Sequence, residues 1–166
     1  EPYRRQRQMC IRDSFKGVDD PVEIVFFGDH QPGLCNDFIK LLNGKGNSGL
    51  TEQELENLYK VPFFIWTNYE TDAQKVDVTS LNYLSTLTLE RANIDLPAYN
   101  RFLAELMEKI PAINSRGYYS KKNECFMHVE DATGDEAKWI KAYNILQYNS
   151  MFDEKDRSSL LFPYLK

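Results

Sequence analysis

The chain has 166 residues, 42% of them hydrophobic and 13% aromatic, which is enough for one domain with a substantial core. Its net charge is -5 and no basic patch interleaved with aromatic residues occurs, so composition argues against a nucleic-acid partner. Its cysteines, Cys10, Cys35 and Cys125, have the spacing of neither a zinc site nor a disulfide framework.

The first segment differs in composition from the rest of the chain. Arg4–Ser14 reads RRQRQMCIRDS, which is basic and lacks a hydrophobic period. It resembles a translated sequencing-adapter stretch, so we expect residues 1–14 to be a non-native or disordered leader. A genuine flexible basic arm is the alternative.

Two apolar segments are predicted to form buried strands. Val22–Phe27 (VEIVFF) is rich in β-branched and aromatic residues and is bounded by Pro21 and Gly28. Pro62–Asn68 (PFFIWTN) has a similar composition, and a strand tolerates proline at its first position.

Helical patterns occupy much of the remaining chain. Thr51 and Glu54 have the spacing of a capping box, which predicts a helix that begins there and ends near Tyr59. Further helices are predicted over 35–43, 80–92, 98–109 and 135–151. The side chains predicted to face the core are, helix by helix, Phe38, Leu41 and Leu42; Leu81, Leu84, Leu87 and Thr88; Phe102, Leu103, Leu106 and Ile110; and Trp139, Ile140, Tyr143, Leu146 and Gln147. Strands separated by helices indicate an α/β layered fold.

The turn after the first strand carries two candidate metal ligands, Asp29 and His30. Open α/β folds bind ligands beyond the carboxyl ends of their strands. Adjacent strand residues point to opposite faces, so the chain must bend for both side chains to reach one ion, and Gly28 and Pro32 permit that bend. A carboxylate beside an imidazole suits Mn²⁺ or Zn²⁺ better than Mg²⁺ or Ca²⁺. On local features alone, a plain turn in which Asp29 caps the following backbone competes with a metal site.

Five segments in chain order share the pattern of a known family. They read IVFFGDHQP, YKVPFFIWTNYE, TSLNYLSTLTLERANIDLPAY, IPAINSRGYY and YNILQYNSMFD, and they span about Val22 to Asp153. Together they resemble the C-terminal portion of lipoteichoic-acid-synthase-like phosphoglycerol transferases, in the sulfatase and alkaline-phosphatase superfamily. The resemblance implies that residues 15–166 are the C-terminal part of an alkaline-phosphatase-like three-layer α/β sandwich. We therefore expect an incomplete sheet with packed helices, a helical tail, and exposed apolar surface where the upstream half of the domain should pack.

The resemblance also implies a metal site. Asp29 and His30 occupy the places of an Asp-His pair that ligates one divalent cation in the family, with Mn²⁺ favoured and Zn²⁺ or Mg²⁺ as alternatives. The other ligands in the family are a Glu and a Thr nearer the N-terminus, and that Thr is also the nucleophile. The 28 residues before Asp29 contain no Thr. We therefore expect no catalytic residue in this chain and at most weak metal binding.

The reaction implied for the parent enzyme is transfer of glycerophosphate from phosphatidylglycerol to a cell-envelope acceptor, a glycan or a teichoic acid. The resemblance places that enzyme on the extracytoplasmic face of a bacterial membrane, anchored by N-terminal helices. A sulfatase or phosphodiesterase of the same superfamily, which passes the covalent group to water, is one alternative. A non-catalytic α/β binding module, in which Asp29 and His30 are structural, is another.

Two further polar positions have a functional and a plain interpretation. His128 could form a metal cluster with Glu130 and Asp131, but a polar surface turn is favoured at FMHVEDATGD. Asn82 lies at the start of a helix and is expected to make local hydrogen bonds rather than to ligate a metal.

Overall fold

The structure, a computed structural model, describes residues 10–163 and residue 165. Most of the leader predicted over 1–14 lies outside these residues, and positions 10–15 are helical, with Ile11 and Phe15 exposed. The described chain divides into two compact units, one ending at Gln74 and the other beginning at Lys75. Within the described part of the chain, no helix is both long enough and apolar enough to cross a membrane.

The first unit contains a two-stranded antiparallel sheet with helices between its strands. In chain order its elements are β1 (Glu23–Phe27), α1 (Asn36–Asn43), a 3-10 turn (Asn47–Gly49), α2 (Glu52–Asn57) and β2 (Phe63–Thr67). Phe27 at the end of β1 lies opposite Phe63 at the start of β2. The end of one strand is thus beside the beginning of the other.

Both strands form where they were predicted, but the prediction that they are buried is wrong. No residue of β1 or β2 is buried, and the rings of Phe26 and Phe64 stack on an exposed face with centroids 5.3 Å apart. Two strands and two short helices provide too little apolar surface to cover both faces of a sheet. The sheet therefore exposes apolar surface, and the packing of the upstream half of the domain against such surface stays a prediction.

The two helices between these strands, α1 and α2, form as predicted, with one error of orientation. The capping box of α2 is confirmed: Thr51 N donates to Glu54 Oε2 at 2.8 Å, and Glu54 N donates to Thr51 Oγ1 at 3.3 Å. In α1 the buried residue is Ile39, whereas Phe38, Leu41 and Leu42, all predicted to face the core, are exposed, the two leucines by 81% and 66%. A helix of eight residues can bury few side chains, and in α1 the buried side chain is that of Ile39.

The second unit contains the main core of the described chain. Its elements are a 3-10 turn (Leu81–Tyr83), α3 (Leu84–Arg91), α4 (Ala98–Lys109), β3 (Tyr118–Ser120), β4 (Cys125–Met127), a second 3-10 turn (Val129–Asp131) and α5 (Gly134–Met151). The buried cluster at its centre comprises Tyr83, Leu103, Leu106, Ile110, Ile113, Tyr118, Ile140 and Tyr143.

The predicted faces of α4 and α5 are largely confirmed, because Leu103, Leu106 and Ile110 are buried, as are Ile140 and Tyr143 in α5. The predicted face of α3 is confirmed only in part, because Leu84, Leu87 and Thr88 are half-buried.

In the segment made of the 3-10 turn Leu81–Tyr83 and α3, Tyr83 and Thr86 are fully buried, while Leu81 is exposed. The segment begins as a 3-10 turn, which advances about 120° per residue instead of about 100°. That difference rotates α3 about its axis relative to Leu81, which lies in the 3-10 turn.

The β3–β4 hairpin was not predicted. It is antiparallel, with Tyr118 opposite Met127, and Glu124 in its turn has a left-handed backbone with φ 53°. Glu136 of α5 fixes it in place: Tyr118 Oη donates to Glu136 Oε2 at 3.0 Å, and Ser120 Oγ donates to Glu136 Oε1 at 2.8 Å. The strands and helices together confirm the predicted α/β class, with antiparallel pairing in both sheets described here.

Candidate metal centre

The backbone after β1 is held against the segment that leads into β2. Gly28 N donates to Pro62 O at 3.1 Å, one residue beyond the paired strands. A methyl group placed on Gly28 would lie 2.9 Å from Val61 Cβ, so a side chain at this position would collide with Val61. Gly28 therefore allows the backbone after β1 to lie close to the segment that leads into β2. This contact fixes the position at which the turn containing Asp29 and His30 begins.

Asp29 and His30 lie side by side on an open surface, with side chains 81% and 76% exposed. Asp29 Oδ1 accepts from His30 N at 2.9 Å, which is the backbone cap expected of a plain turn. The other oxygen, Oδ2, lies 3.4 Å from His30 Nε2. One carboxylate oxygen thus shapes the turn while the second faces the imidazole, so the two candidate ligands converge.

The imidazole of His30 is oriented by its other nitrogen. Nδ1 lies 2.8 Å from Gln31 O, and a carbonyl oxygen can only accept. Nδ1 therefore carries a proton, and in the neutral ring Nε2 presents a lone pair toward Asp29. Metal-ligating histidines are usually held in this way by an acceptor on the second nitrogen. For His30 that acceptor is the backbone carbonyl of the next residue.

Gln31 links this turn to the connection between α2 and β2. Its side-chain amide donates to Asn57 O at 3.2 Å and also to Lys60 O. Asn57 is the last residue of α2, where backbone carbonyls lack helical partners. The side chain of Gln31 therefore donates to the backbone carbonyls of Asn57 and Lys60, while its own backbone carbonyl accepts from His30 Nδ1.

The donor set at this turn fits part of a cation site. Zinc binds N and O ligands at about 2.0–2.2 Å, so two ligands at a tetrahedral angle lie about 3.4 Å apart. The separation of Asp29 Oδ2 and His30 Nε2 is 3.4 Å. No group of three or more His, Cys, Asp or Glu side chains suited to a metal occurs among residues 10–163 and 165. The described chain thus offers two donors, and the metal role of Asp29 and His30 stays a prediction.

The remaining polar candidates have local surroundings. His128 precedes the 3-10 turn Val129–Asp131, and the described residues form no metal cluster with Glu130 and Asp131. Asn82 Oδ1 accepts from Ser80 Oγ at 2.5 Å, which confirms the local hydrogen bond expected of it.

An open groove in the second unit was not predicted from the sequence. Its cavity volume is about 480 Å³, and it lies along α5. Apolar side chains form much of its lining, with amide and carboxylate groups at one end. These lining residues include Val129, Ile140, Ile145, Tyr148, Asn149 and Asp153.

No protein-family model matches the chain, and no curated protein matches it significantly in sequence. Among solved structures, the chain is similar to the phosphoglycerol transferase GacH of Streptococcus pyogenes, determined in complex with sn-glycerol-1-phosphate. The sequence identity is 18% and the TM-score is 0.61, over 87% of this chain and 31% of that chain. The chain therefore spans about a third of the length of that transferase. The likeness shows the fold, and at that level it confirms the resemblance to phosphoglycerol transferases expected from the sequence.

Proposed function

We propose that this chain is part of a metal-dependent phosphoglycerol transferase and contributes two ligands, Asp29 and His30, to its metal site. One observation carries the proposal: an exposed carboxylate and an oriented imidazole converge at a strand end, 3.4 Å apart, in a chain with the fold of part of a phosphoglycerol transferase. The favoured ion is Mn²⁺, with Zn²⁺ or Mg²⁺ as alternatives.

The residues of this chain have distinct tasks in the proposed site. Asp29 offers Oδ2 as an anionic donor while Oδ1 keeps the turn closed on His30 N. His30 offers Nε2, with its ring held through Nδ1 by Gln31 O. When bound, a divalent cation lowers the pKa of a bound hydroxyl and neutralises charge on phosphoryl oxygens. Neither Asp29 nor His30 is the nucleophile; that role belongs to a threonine outside the residues of this chain.

The proposed donor and acceptor follow from the resemblance and from the neighbouring structure, which holds sn-glycerol-1-phosphate. The donor is phosphatidylglycerol, and the acceptor is a glycan or teichoic-acid polymer of the cell envelope. The proposed location is the extracytoplasmic face of a bacterial membrane. The proposed macromolecular partner is the upstream half of the same catalytic domain, which supplies the Glu and Thr ligands.

Metal binding is tested by titrating the chain with Mn²⁺ and following histidine ring signals by NMR. The chain has two histidines, so His128 serves as an internal reference. Paramagnetic broadening of the His30 signals at substoichiometric Mn²⁺ is expected, while those of His128 stay sharp. Two protein ligands compete poorly with water, so the dissociation constant should be weaker than roughly 1 μM.

Matched variants make this experiment decisive. Asp29→Asn and His30→Gln should each abolish the selective broadening, whereas Asp95→Asn, an exposed carboxylate of the second unit, should leave it unchanged. Absence of broadening at His30, or equal broadening at His128, contradicts the metal site. Submicromolar affinity contradicts the prediction that this chain supplies only part of the ligand set.

The reaction class is tested on the full-length protein with phosphatidylglycerol as substrate. Glycerophosphate that accumulates on a glycan or polymer acceptor supports a transferase. Release of glycerophosphate into water in the presence of acceptors supports the phosphodiesterase alternative. Activity that is unchanged by Asp29→Asn supports the interpretation of this chain as a binding module.

A further inference from the structure

Gln31 makes hydrogen bonds in two directions at the candidate metal centre. Its side-chain Nε2 donates to Asn57 O and Lys60 O, which lie 26 and 29 residues further along the chain. Its backbone carbonyl accepts from His30 Nδ1 at 2.8 Å. Gln31 is therefore the residue through which the end of α2 is joined to the imidazole of His30.

The two carbonyls determine what kind of side chain fits position 31. Both are acceptors, and a primary amide carries two N–H donors on one nitrogen. A carboxylate of the same shape would place an oxygen against two carbonyl oxygens, and an apolar side chain would leave them without this donor. An amide of glutamine length therefore matches this position in both reach and polarity.

The position of the Gln31 carbonyl matters because a neutral imidazole has two tautomers. Without an acceptor beside Nδ1, either nitrogen can carry the proton, and a protonated Nε2 cannot ligate a metal. The exposed ring of His30 is oriented by the Gln31 carbonyl through Nδ1, while Nε2 lies on the side of Asp29 Oδ2. Its tautomer therefore depends on where the backbone of residue 31 is held.

We propose that Gln31 is a positioning residue for His30. Its amide docks on the carbonyls at the end of α2 and so holds its own carbonyl where it accepts the Nδ1 proton. The lone pair of Nε2 is thereby directed toward Asp29 before any ion arrives. The benefit of this arrangement for metal binding rests on the proposed function, but the arrangement itself is present in the metal-free chain.

The test is the tautomer of His30 in the full, metal-free chain, measured from ring ¹⁵N shifts in alkaline buffer in which these shifts show that the ring is neutral. The unsubstituted chain should show the Nδ1-protonated tautomer at His30. Gln31→Glu keeps the length but loses the donors, and it should shift His30 toward the Nε2-protonated form. The His128 ring should not change in the same spectrum.

A second variant and a control separate this role from a folding defect. Gln31→Met removes the donors without adding charge and should shift the tautomer in the same direction. Gln53→Glu changes an exposed glutamine on α2 and should leave the His30 ring unchanged. Amide spectra of each variant establish that the fold is retained. A His30 ring that keeps the Nδ1 proton in both folded Gln31 variants overturns the proposal.

Metal titration of the same samples distinguishes this inference from the proposed function. Loss of a group that orients a ligand typically weakens metal binding about 10–100-fold, so Mn²⁺ broadening at His30 should decrease in both Gln31 variants. If the tautomer shifts but the unsubstituted chain does not bind Mn²⁺, the metal function fails and the positioning role stands. If Mn²⁺ binds but the tautomer is insensitive to Gln31, the positioning role fails and the metal function stands.

Discussion

The backbone of Gly28 passes so close to Val61 that a methyl group on Gly28 would lie 2.9 Å from Val61 Cβ and 3.2 Å from its Cγ1. Gly28→Ala should therefore force β1 and β2 apart at this end and reduce stability by about 1–3 kcal/mol. Denaturant unfolding of the first unit, followed by Trp66 fluorescence in a Trp139→Phe background, measures the effect.

Val61→Gly provides the matched control for this contact. It removes Cβ and both Cγ atoms near Gly28, so the double variant should be more stable than the sum of the two single effects predicts. Strictly additive effects would mean that the two positions do not collide.

Asn68, which follows β2, holds the segment that leads into β1 through both the oxygen and the nitrogen of its side-chain amide. Its Oδ1 accepts from Val22 N at 2.8 Å, and its Nδ2 donates to Val18 O at 3.0 Å and Asp20 O at 2.9 Å. Asn68→Asp replaces the donor with an oxygen that faces these carbonyls, and it should cost about 1–3 kcal/mol at neutral pH by denaturant unfolding. Asn93→Asp, at an exposed left-handed position, should stay within about 0.5 kcal/mol.

The capping box of α2 makes the stability of the first unit sensitive to acid. Hydrogen bonds from the Thr51 backbone and from Lys45 lower the pKa of Glu54 below 4.5. The ionised form is thus favoured in the folded chain. The contribution of ionised Glu54 to the stability of the fold is present above pH 4.5 and is lost as the pH falls through the lowered pKa of this group.

Glu54→Gln keeps an acceptor for the cap but removes the charge. The variant should be less stable than the parent chain at neutral pH, and the difference should vanish in acid, as followed by thermal unfolding from pH 7 downward. Glu52→Gln, which lies outside the capping box on the same helical turn, should show a smaller pH-dependent difference. An equal difference at all pH values would contradict the role of the Glu54 charge.

The link between the hairpin and α5 makes the second unit sensitive to alkali. Burial and the hydrogen bond to Glu136 raise the pKa of Tyr118 to about 12. An exposed tyrosine titrates near pH 10, so the unfolded chain loses this proton first. The stabilisation is complete below about pH 10 and is lost as the pH rises toward 12.

Tyr118→Phe removes the titrating group and one donor to Glu136. The variant should be less stable at pH 7 by about 1–2 kcal/mol, and the difference should narrow at pH 11. Urea unfolding at the two pH values measures this, with Tyr148→Phe, an exposed tyrosine, as the control. A difference that grows with pH would contradict the assignment.

Leu41 and Leu42 form an exposed apolar patch on α1. We expect the chain to self-associate through it at high concentration, because contiguous exposed apolar surface favours contact between molecules. The double variant Leu41→Glu and Leu42→Glu should raise the dissociation constant of self-association by about tenfold or more, measured by sedimentation equilibrium. Leu160→Glu alters a leucine of similar exposure in the second unit, and an equal effect there would contradict a specific role of α1.

Features set by neighbouring residues could be predicted from the sequence. The capping box depends on two residues three positions apart, and the buried face of α4 follows a regular helical period, so both predictions are confirmed. The face of α3 was predicted only in part because its first turn is a 3-10 helix, and propensity alone does not reveal that change of period. The β3–β4 hairpin was missed because strands of three residues have no readable alternation.

The same distinction applies to the candidate site. Asp29 and His30 could be identified because they follow an apolar strand, and Gly28 indicated that the chain could bend so that both side chains reach one ion. Gln31 could not be identified, because its partners Asn57 and Lys60 come close only when α2 and β2 are in place. The close approach of Gly28 to Val61 likewise depends on the pairing of distant segments.

The β1–β2 ladder is bonded just beyond its paired residues at both ends. Asn68 N donates to Val22 O at 3.1 Å at one end, and Gly28 N donates to Pro62 O at 3.1 Å at the other. A slip of one residue in register would break both bonds at once and turn every strand side chain to the opposite face. These two end bonds therefore favour the observed alignment, and that alignment determines where Asp29 lies beyond the end of β1. An insertion or deletion within either strand would move Asp29 and His30 together by about 3.3 Å, the rise of one strand residue, relative to the connection between α2 and β2 that Gln31 contacts.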